Sequence, residues 1–494
     1  MKESNFLILT FVILCLTAGC RTITPLSSFE SEPTATPTST ALPKPAIQET
    51  PTKPVSMSPT PTEPTPTKTE EKWEIPDSPL SEGGPWWVFS TVQGIFAVNP
   101  DGSGLSQVYQ GSLDSLQSQS IVTSPYGGFL AFLSGTGRDV ELKVVKLPEF
   151  SSVAEIELFP QEEETDVEAL RAILEQPSFS FSPDGKQIAF MGGIDGPTSD
   201  LYLYDLDSQE ITRLTDGPSQ AYQPVWSLDG RYIVHTGVST FGTGAGMNMT
   251  GVWAVRTEDM EVLDLYNPSG SGSERIIGWV NNQTFVVYSW DAVCGSKEVR
   301  AFNIETNEVT DLWGESFRAI AFDPSGSGAV LTSNDGICEP AGGTGMYHVP
   351  ADGGQPQRFL DDTGPLVVWS PEAKLFLASG NFGSWFIAVD NHGQYIDLDK
   401  PAEANVFPAV ATGSNDLAWS GKSLWIGPLL GSIENSPREI FSGAVHTVTW
   451  TPDGRAVLFL SDSGLYIARK PDYTPYLIAE GLDDVGGYSD WVYP

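Results

Sequence analysis

From Trp86 onward the chain alternates apolar and polar residues in short runs, each ended by Pro, Asp, Asn or Gly. A period of two is the mark of strands with one buried face. The clearest stretch is FSFSPDGKQIAF at residues 179–190, followed by DLYLYD at 200–205 and ITRLT at 211–215. Ile188 and Phe190, then Leu201 and Leu203, fall on alternate positions. Pro183-Asp184-Gly185 reads as a tight turn in which Gly supplies the positive φ. Asp205-Leu206-Asp207-Ser208-Gln209 reads as the next turn, before an outer strand.

The turn returns at about every 40 to 45 residues, the period of a four-stranded propeller blade. It recurs as SPYGG at 124–128, SLDGR at 227–231, DPSGS at 323–327, SPEAK at 370–374 and TPDGR at 451–455, with degenerate forms near Asn281 and Ser414. Phe181, Trp226, Trp279, Phe322, Trp369 and Trp450 precede these turns. The set resembles the TolB-like (WD40-like) propeller repeat over residues 86–494, most strongly at 179–215 and 448–478. That resemblance implies an all-β chain folded as one β-propeller of eight or nine four-stranded blades. It implies interaction work at a cell envelope and leaves the partner unidentified.

Residues 86–111 provide only the later strands of a blade, and Ser489-Asp490-Trp491-Val492 reads as a first strand. The N- and C-terminal strands are therefore predicted to share one blade and close the ring, leaving no open edge. In such a blade the a–b and c–d turns lie on one face, and the b–c and d–a connections on the other. The long segments, 192–199, 239–251, 290–297, 333–345 and the insertion 160–177, all belong to the second face. The insertion carries Val167, Leu170, Ile173 and Leu174 at helical spacing, so it predicts a short amphipathic helix. Excursions gathered on one face of a repeat fold mark it as the binding face. Candidate binding residues there are Asp195, Asp200, Phe241, Met247, Met249, Trp290, Asp291, Asp335 and Glu339. Cys294 and Cys338 follow the second strands of adjacent blades, which predicts neighbouring loops and a disulfide, the alternative being two free thiols.

Ahead of the repeats lie two segments of different character. Residues 6–16 (FLILTFVILCL) are apolar but too short to cross a bilayer core of about 30 Å as a helix. They run into Leu16-Thr17-Ala18-Gly19-Cys20, which resembles a bacterial lipobox at Ala18, Gly19 and Cys20 and departs from it at Thr17. The resemblance implies a signal peptide over residues 1–19 and a lipid anchor on Cys20, hence an extracytoplasmic protein attached to the membrane by that lipid alone. Residues 21–85 are then dominated by Pro, Thr and Ser. Pro removes backbone donors and the few apolar side chains cannot offset ordering entropy, so residues 20–85 read as a disordered stalk bearing the anchor.

Of the 494 residues, 63 are Asp or Glu against 26 Lys or Arg, a net charge of −37. That field repels phosphate backbones and excludes nucleic acid as a partner. Catalytic signatures are missing: there is no G-x-S-x-G elbow, and Gly421-Lys422-Ser423 lacks the first glycine of a phosphate loop. His235, His348, His392 and His446 sit at unlike places in the repeat, so no metal or other cofactor is predicted. The sequence thus favours a monomeric binding module for a protein, peptide or glycan over an enzyme. The competing reading is an enzyme acting on carbohydrate through paired carboxylates.

Overall fold

The computed structural model describes residues 74–111, 121–159, 178–241, 247–266, 273–291, 293–323, 328–334, 338–364, 367–370, 373–379, 386–390, 393–397, 409–414, 416–420, 422–429, 437–482 and 488–494. The expected helix at 160–177, the leader, Cys20 and most of the stalk lie outside them. Apart from one 3-10 turn at Gly137–Asp139, the described elements are strands. They form eight antiparallel sheets, seven of four strands and one of seven. Each is a meander in which neighbours in sequence are neighbours in space. The first sheet is the exception, because its inner strand Ser489–Val492 comes from the far end of the chain.

The seven-stranded fifth sheet contains two four-strand meanders that share Val309–Phe322. Its first half pairs with Gly295–Asn303 and its second with Gly328–Ser333. Here the outer strand of one unit runs straight on as the inner strand of the next. Leu312, Trp313, Phe317, Ala319 and Ile320 are buried along it, and the strand runs on through Gly314-Glu315-Ser316 between them. The choice between eight and nine blades turns on this one element.

Turn chemistry sets the hairpins. Ser182 Oγ donates to Asp184 Oδ1 at 2.6 Å, Lys186 N to the same oxygen at 3.1 Å, and Gln187 N to Ser182 Oγ at 3.0 Å. Thr451, Asp453, Arg455 and Ala456 repeat the arrangement, as do Ser227, Asp229, Arg231 and Tyr232. Gly185 and Gly454, at φ 70° and 65°, take the left-handed position a side chain would strain.

Closure follows the expected pairing. Trp86, Trp87, Val88 and Phe89 stand opposite Val492, Trp491, Asp490 and Ser489. The bond from Ser90 N to Tyr488 O at 3.0 Å extends the ladder by a residue. Trp86, Val88 and Val492 are buried together with Ile121, Leu130 and Phe132 of the second sheet. The aromatics that precede the turns have a further task. The Trp226 indole donates to Ser180 O at 3.1 Å, Trp279 to Val225 O at 3.5 Å, and Trp450 to Ala409 O at 2.8 Å. Trp491 donates to Thr449 Oγ1 at 2.9 Å and Trp450 O at 3.0 Å. Each of these bonds crosses from one inner strand to the one before it.

His235, in Tyr232–Phe241, is buried and stacked on Trp253 with centroids 5.9 Å apart. Burial pushes its pKa down to about 4. The unfolded chain takes up this proton near pH 6.5, whereas the folded chain resists until about pH 4. Stability from neutral His235 is therefore complete above pH 6.5 and falls as the pH drops towards 4. The stability advantage of the wild type over His235→Gln should shrink by about 3 kcal/mol between neutral pH and pH 4. Urea unfolding at both pH values checks this. An unchanged difference would mean that His235 charges freely inside the fold.

Candidate functional site

The two ends of the ring differ in construction. At one end lie the tight a–b and c–d turns. The other carries the b–c and d–a connections, and the candidate binding residues among the described residues map there. Part of that end is less loop-like than expected. Tyr232–Phe241 and Met247–Arg256 continue as a ladder out to the pair Phe241 and Met247, so most of 239–251 is strand. The 290–297 segment closes just as tightly, with Asp291 opposite Gly295. The β-branched and aromatic residues flanking both segments favour extending the pairing over looping out.

In the third sheet an ionic cluster gathers around Arg213. Its Nη2 lies 2.6 Å from Asp200 Oδ2 and 2.9 Å from Asp216 Oδ1, and its Nη1 lies 3.4 Å from Asp195 Oδ1. The Tyr202 hydroxyl also donates to Asp195. Asp200 is only 1% exposed and accepts from Thr198 and Thr215 as well. Burial raises its pKa, and the Arg213 guanidinium opposes that rise. Asp200 thus spends its charge on holding the outer strands together, while Asp195 is half exposed and faces solvent.

A second cluster sits at the same end of the fifth sheet. Ser289 Oγ donates to Glu274 at 3.0 Å and lies 3.4 Å from Glu298 Oε2, so the two carboxyls flank one hydroxyl. Arg300 reaches Glu274 at 3.3 Å, Glu298 at 2.8 Å and Asp311 at 3.3 Å. Glu274 is buried, and burial raises its pKa more than Ser289 and Arg300 lower it. Glu298 holds φ at 50° where the ladder shifts register, which is the backbone of a bulge that re-aims a side chain. The sequence reading missed this group. Glu298 stands in an unremarkable strand pattern, and only the bulge turns it towards Glu274.

The remaining candidates divide plainly. Cys294 and Cys338 are bonded, with Cα atoms 5.4 Å apart. Asn334 Nδ2 donates to Cys294 O at 3.2 Å, so the bridge and this bond tie the two neighbouring loops, while Ser316 Oγ donates to Cys338 O and holds that loop to the strand Val309–Phe322. Glu339 is exposed and orders its own loop by accepting from Thr344 Oγ1 at 2.8 Å. Trp290 is partly buried and packs against the core cluster that contains Val286, Tyr288 and Phe317. Met249 is 5% exposed and packs with Met191, Tyr222 and Val238, so it belongs to the core between sheets and presents no anchor to solvent. Phe241, Met247 and Asp291 lie at strand ends beside the loops. Asp335 and His392 lie outside the described residues. Among the described residues, no three His, Cys, Asp or Glu approach closely enough to form a metal-ligand set.

No family model matches the chain. It is 38% identical over 56 residues to the uncharacterized peptidase YuxL of Bacillus subtilis (strain 168), a match covering 11% of this chain and 8% of that protein. Among solved structures it is similar to Porphyromonas gingivalis dipeptidyl peptidase 4, with TM-score 0.48 and 10% identity, covering 73% of this chain and 59% of that one. It is also similar to TolB from Acinetobacter baumannii, with TM-score 0.31 and 16% identity, covering 57% and 64%. An oligogalacturonate lyase solved with manganese gives TM-score 0.36 and 14% identity, covering 60% and 89%. The chain therefore spans less than a tenth of the curated relative it matches and under two thirds of the peptidase structure.

The Cys294–Cys338 bridge closes a loop with sequence separation 44. Removing both thiols as Cys294→Ala with Cys338→Ala is expected to lower stability by about 2–4 kcal/mol. Reducing the wild type should reproduce that loss in denaturant unfolding. Reduction without effect would show that the bridge does not hold these loops.

Proposed function

We propose that this propeller is a binding module at the bacterial cell envelope, held to the membrane by a lipid on Cys20. It recognises a protein, peptide or glycan through the end bearing the long connections. The observation that carries this reading is the Cys294–Cys338 bridge, which fixes neighbouring loops at that end. Pre-ordered loops lose less entropy on binding. The entry of the chain agrees with it. Ser81 N donates to Asn99 Oδ1 and Ser78 Oγ to Ser103 Oγ, both at 2.8 Å, so the segment leading into Trp86 runs beside the tight c–d turn. The opposite end is left clear of it. The net charge of −37 favours a cationic ligand and speeds its encounter.

A second reading has one observation of its own. Glu274 and Glu298 flank Ser289, and burial holds the Glu274 pKa above the ordinary carboxyl range. A carboxyl with a raised pKa beside a second carboxyl is what acid–base attack on a glycosidic bond requires. Both are clamped by Arg300, which favours a structural task and places this reading second.

The test is a partner captured from bacterial envelope and then measured in isolation. Neutralising the loop-end charges as Asp195→Asn with Glu339→Gln should lower its on-rate several-fold and flatten the salt dependence. Glu258→Gln, in the c–d turn at the other end, should change neither. Equal effects from both ends would overturn the assignment of the face. Membrane retention that survives Cys20→Ser would overturn the anchor.

A further inference from the structure

The closing strand brings a carboxylate to the centre of the ring. Trp226, Trp369, Trp450 and Trp491 hold one shared place near the end of their inner strands. The residue just before this place is Asp490 in the first sheet, and its side chain is exposed. Its counterparts on other inner strands include Val122, Ser180, Val225, Val368, Ala409 and Thr449, all partly exposed. Side chains that solvent reaches along the innermost strands of a closed propeller line its central channel. Among the described inner strands, Asp490 is the only ionisable residue at this position.

Its surroundings leave the charge unanswered. Elsewhere an indole reaches back to this position on the preceding strand, Trp226 to Ser180 O, Trp450 to Ala409 O and Trp491 to Thr449 Oγ1. In the second sheet Thr123 stands in the indole's place, and its hydroxyl donates to Asp490 Oδ2 at 2.6 Å. A threonine covers less of its neighbour than an indole does, so the carboxylate stays open to the channel. Trp491 N donates to Oδ1 at 2.8 Å, and these two donors are its full set among the described residues. No Lys, Arg or His among them lies within ion-pair distance of it. The surrounding protein raises the Asp490 pKa, and the two hydrogen bonds offset that rise only in part. A carboxyl that is exposed yet poorly solvated belongs to a channel wall, not to the outer surface.

We propose that Asp490 anchors a channel site for an alkylammonium group, carried by a lysine side chain or by a free polyamine. The donor arithmetic selects that chemistry. A carboxylate offers about four lone-pair sites, and Thr123 and Trp491 take one on each oxygen. An ammonium is a compact charge with rotatable donors, so it can use a remaining site on either oxygen. A guanidinium fits less well, because its rigid fork pairs with both oxygens in parallel and each already holds a donor. A calcium ion fits least, since it takes about six to eight oxygens and no metal-ligand set forms among the described residues. The flanking Val122 and Thr449 are uncharged and short, so they neither neutralise Asp490 nor close the approach to it. Their methyl groups suit an aliphatic stem whose head meets the charge. This site is apart from the loop-rich end and does not rest on the function proposed for that face.

Titrating the full chain, isotope-labelled at tryptophan, with n-butylammonium at fixed ionic strength tests the site. The Trp491 amide, bonded to the carboxylate, should shift saturably. The Trp226 and Trp450 amides, which follow Val225 and Thr449, should stay in place. Asp490→Asn should weaken binding about tenfold or more. It should leave the thermal midpoint unchanged or higher, because it removes a charge that the fold does not compensate. Val122→Lys keeps Asp490 and offers it an ammonium from the next inner strand, so it should suppress the shift as well. Tighter capture of a lysine-bearing peptide than of putrescine assigns the site to a protein partner, and the reverse assigns it to a free polyamine. The proposal is overturned by any of three results: no saturable Trp491 shift up to about 0.1 M probe, undiminished binding by Asp490→Asn, or n-butylguanidinium binding as tightly as n-butylammonium. Asp195→Asn with Glu339→Gln should leave the shift unaltered, so this site and the loop-rich face fail separately.

Discussion

Everything in this architecture depends on one antiparallel pairing, between Trp86–Thr91 and Ser489–Val492. Without it the first sheet would present an open edge of unpaired N–H and C=O groups, and the inner wall would lack one strand. An unpaired β edge is a template for association with other chains. With it, two segments nearly the whole chain apart in sequence become one sheet. Trp491 then carries the closure across to the eighth sheet through its bonds to Thr449 and Trp450. The ring is sealed by backbone pairing on one side of the final strand and by an indole on the other.

The same indole logic recurs around the ring. A residue that a sequence reader sees as an aromatic before a turn is, in three dimensions, a hydrogen-bonded clasp between consecutive inner strands. Each bond is worth about 1 kcal/mol, but a buried ring takes about 150–250 Å² out of water as well. Sheet-to-sheet adhesion in this propeller is therefore shared between the apolar faces and these side chains.

How much was legible beforehand follows from the range of the interactions involved. Turns such as Ser182-Pro183-Asp184-Gly185 are local, so their bonds could be read from a handful of residues. Closure and the Cys294–Cys338 neighbourhood were also legible, because a fixed repeat converts sequence spacing into position around the ring. What escaped was decided between strands. Asp200 looked like a loop carboxylate until Arg213 and Thr215 covered it. Met249 looked like an exposed anchor until the ladder of the fourth sheet carried it into the core. Glu298 needed a bulge, and the merging of two meanders needed a strand that runs through Gly314-Glu315-Ser316, neither of which has a local sequence signal. The overall charge balance speaks to partners and encounter rates and is silent on all of these.

The most direct measurement is amide hydrogen exchange across the closing sheet of the intact chain. If the ring is sealed as described, the hydrogen-bonded amides of Trp86–Phe89 and Ser489–Val492 open only with the whole fold. They should then share one opening free energy with Val457 and Leu458 in the eighth sheet. Should the 489–492 amides exchange orders of magnitude faster than Val457, the last strand is a loose end and the closed ring is contradicted.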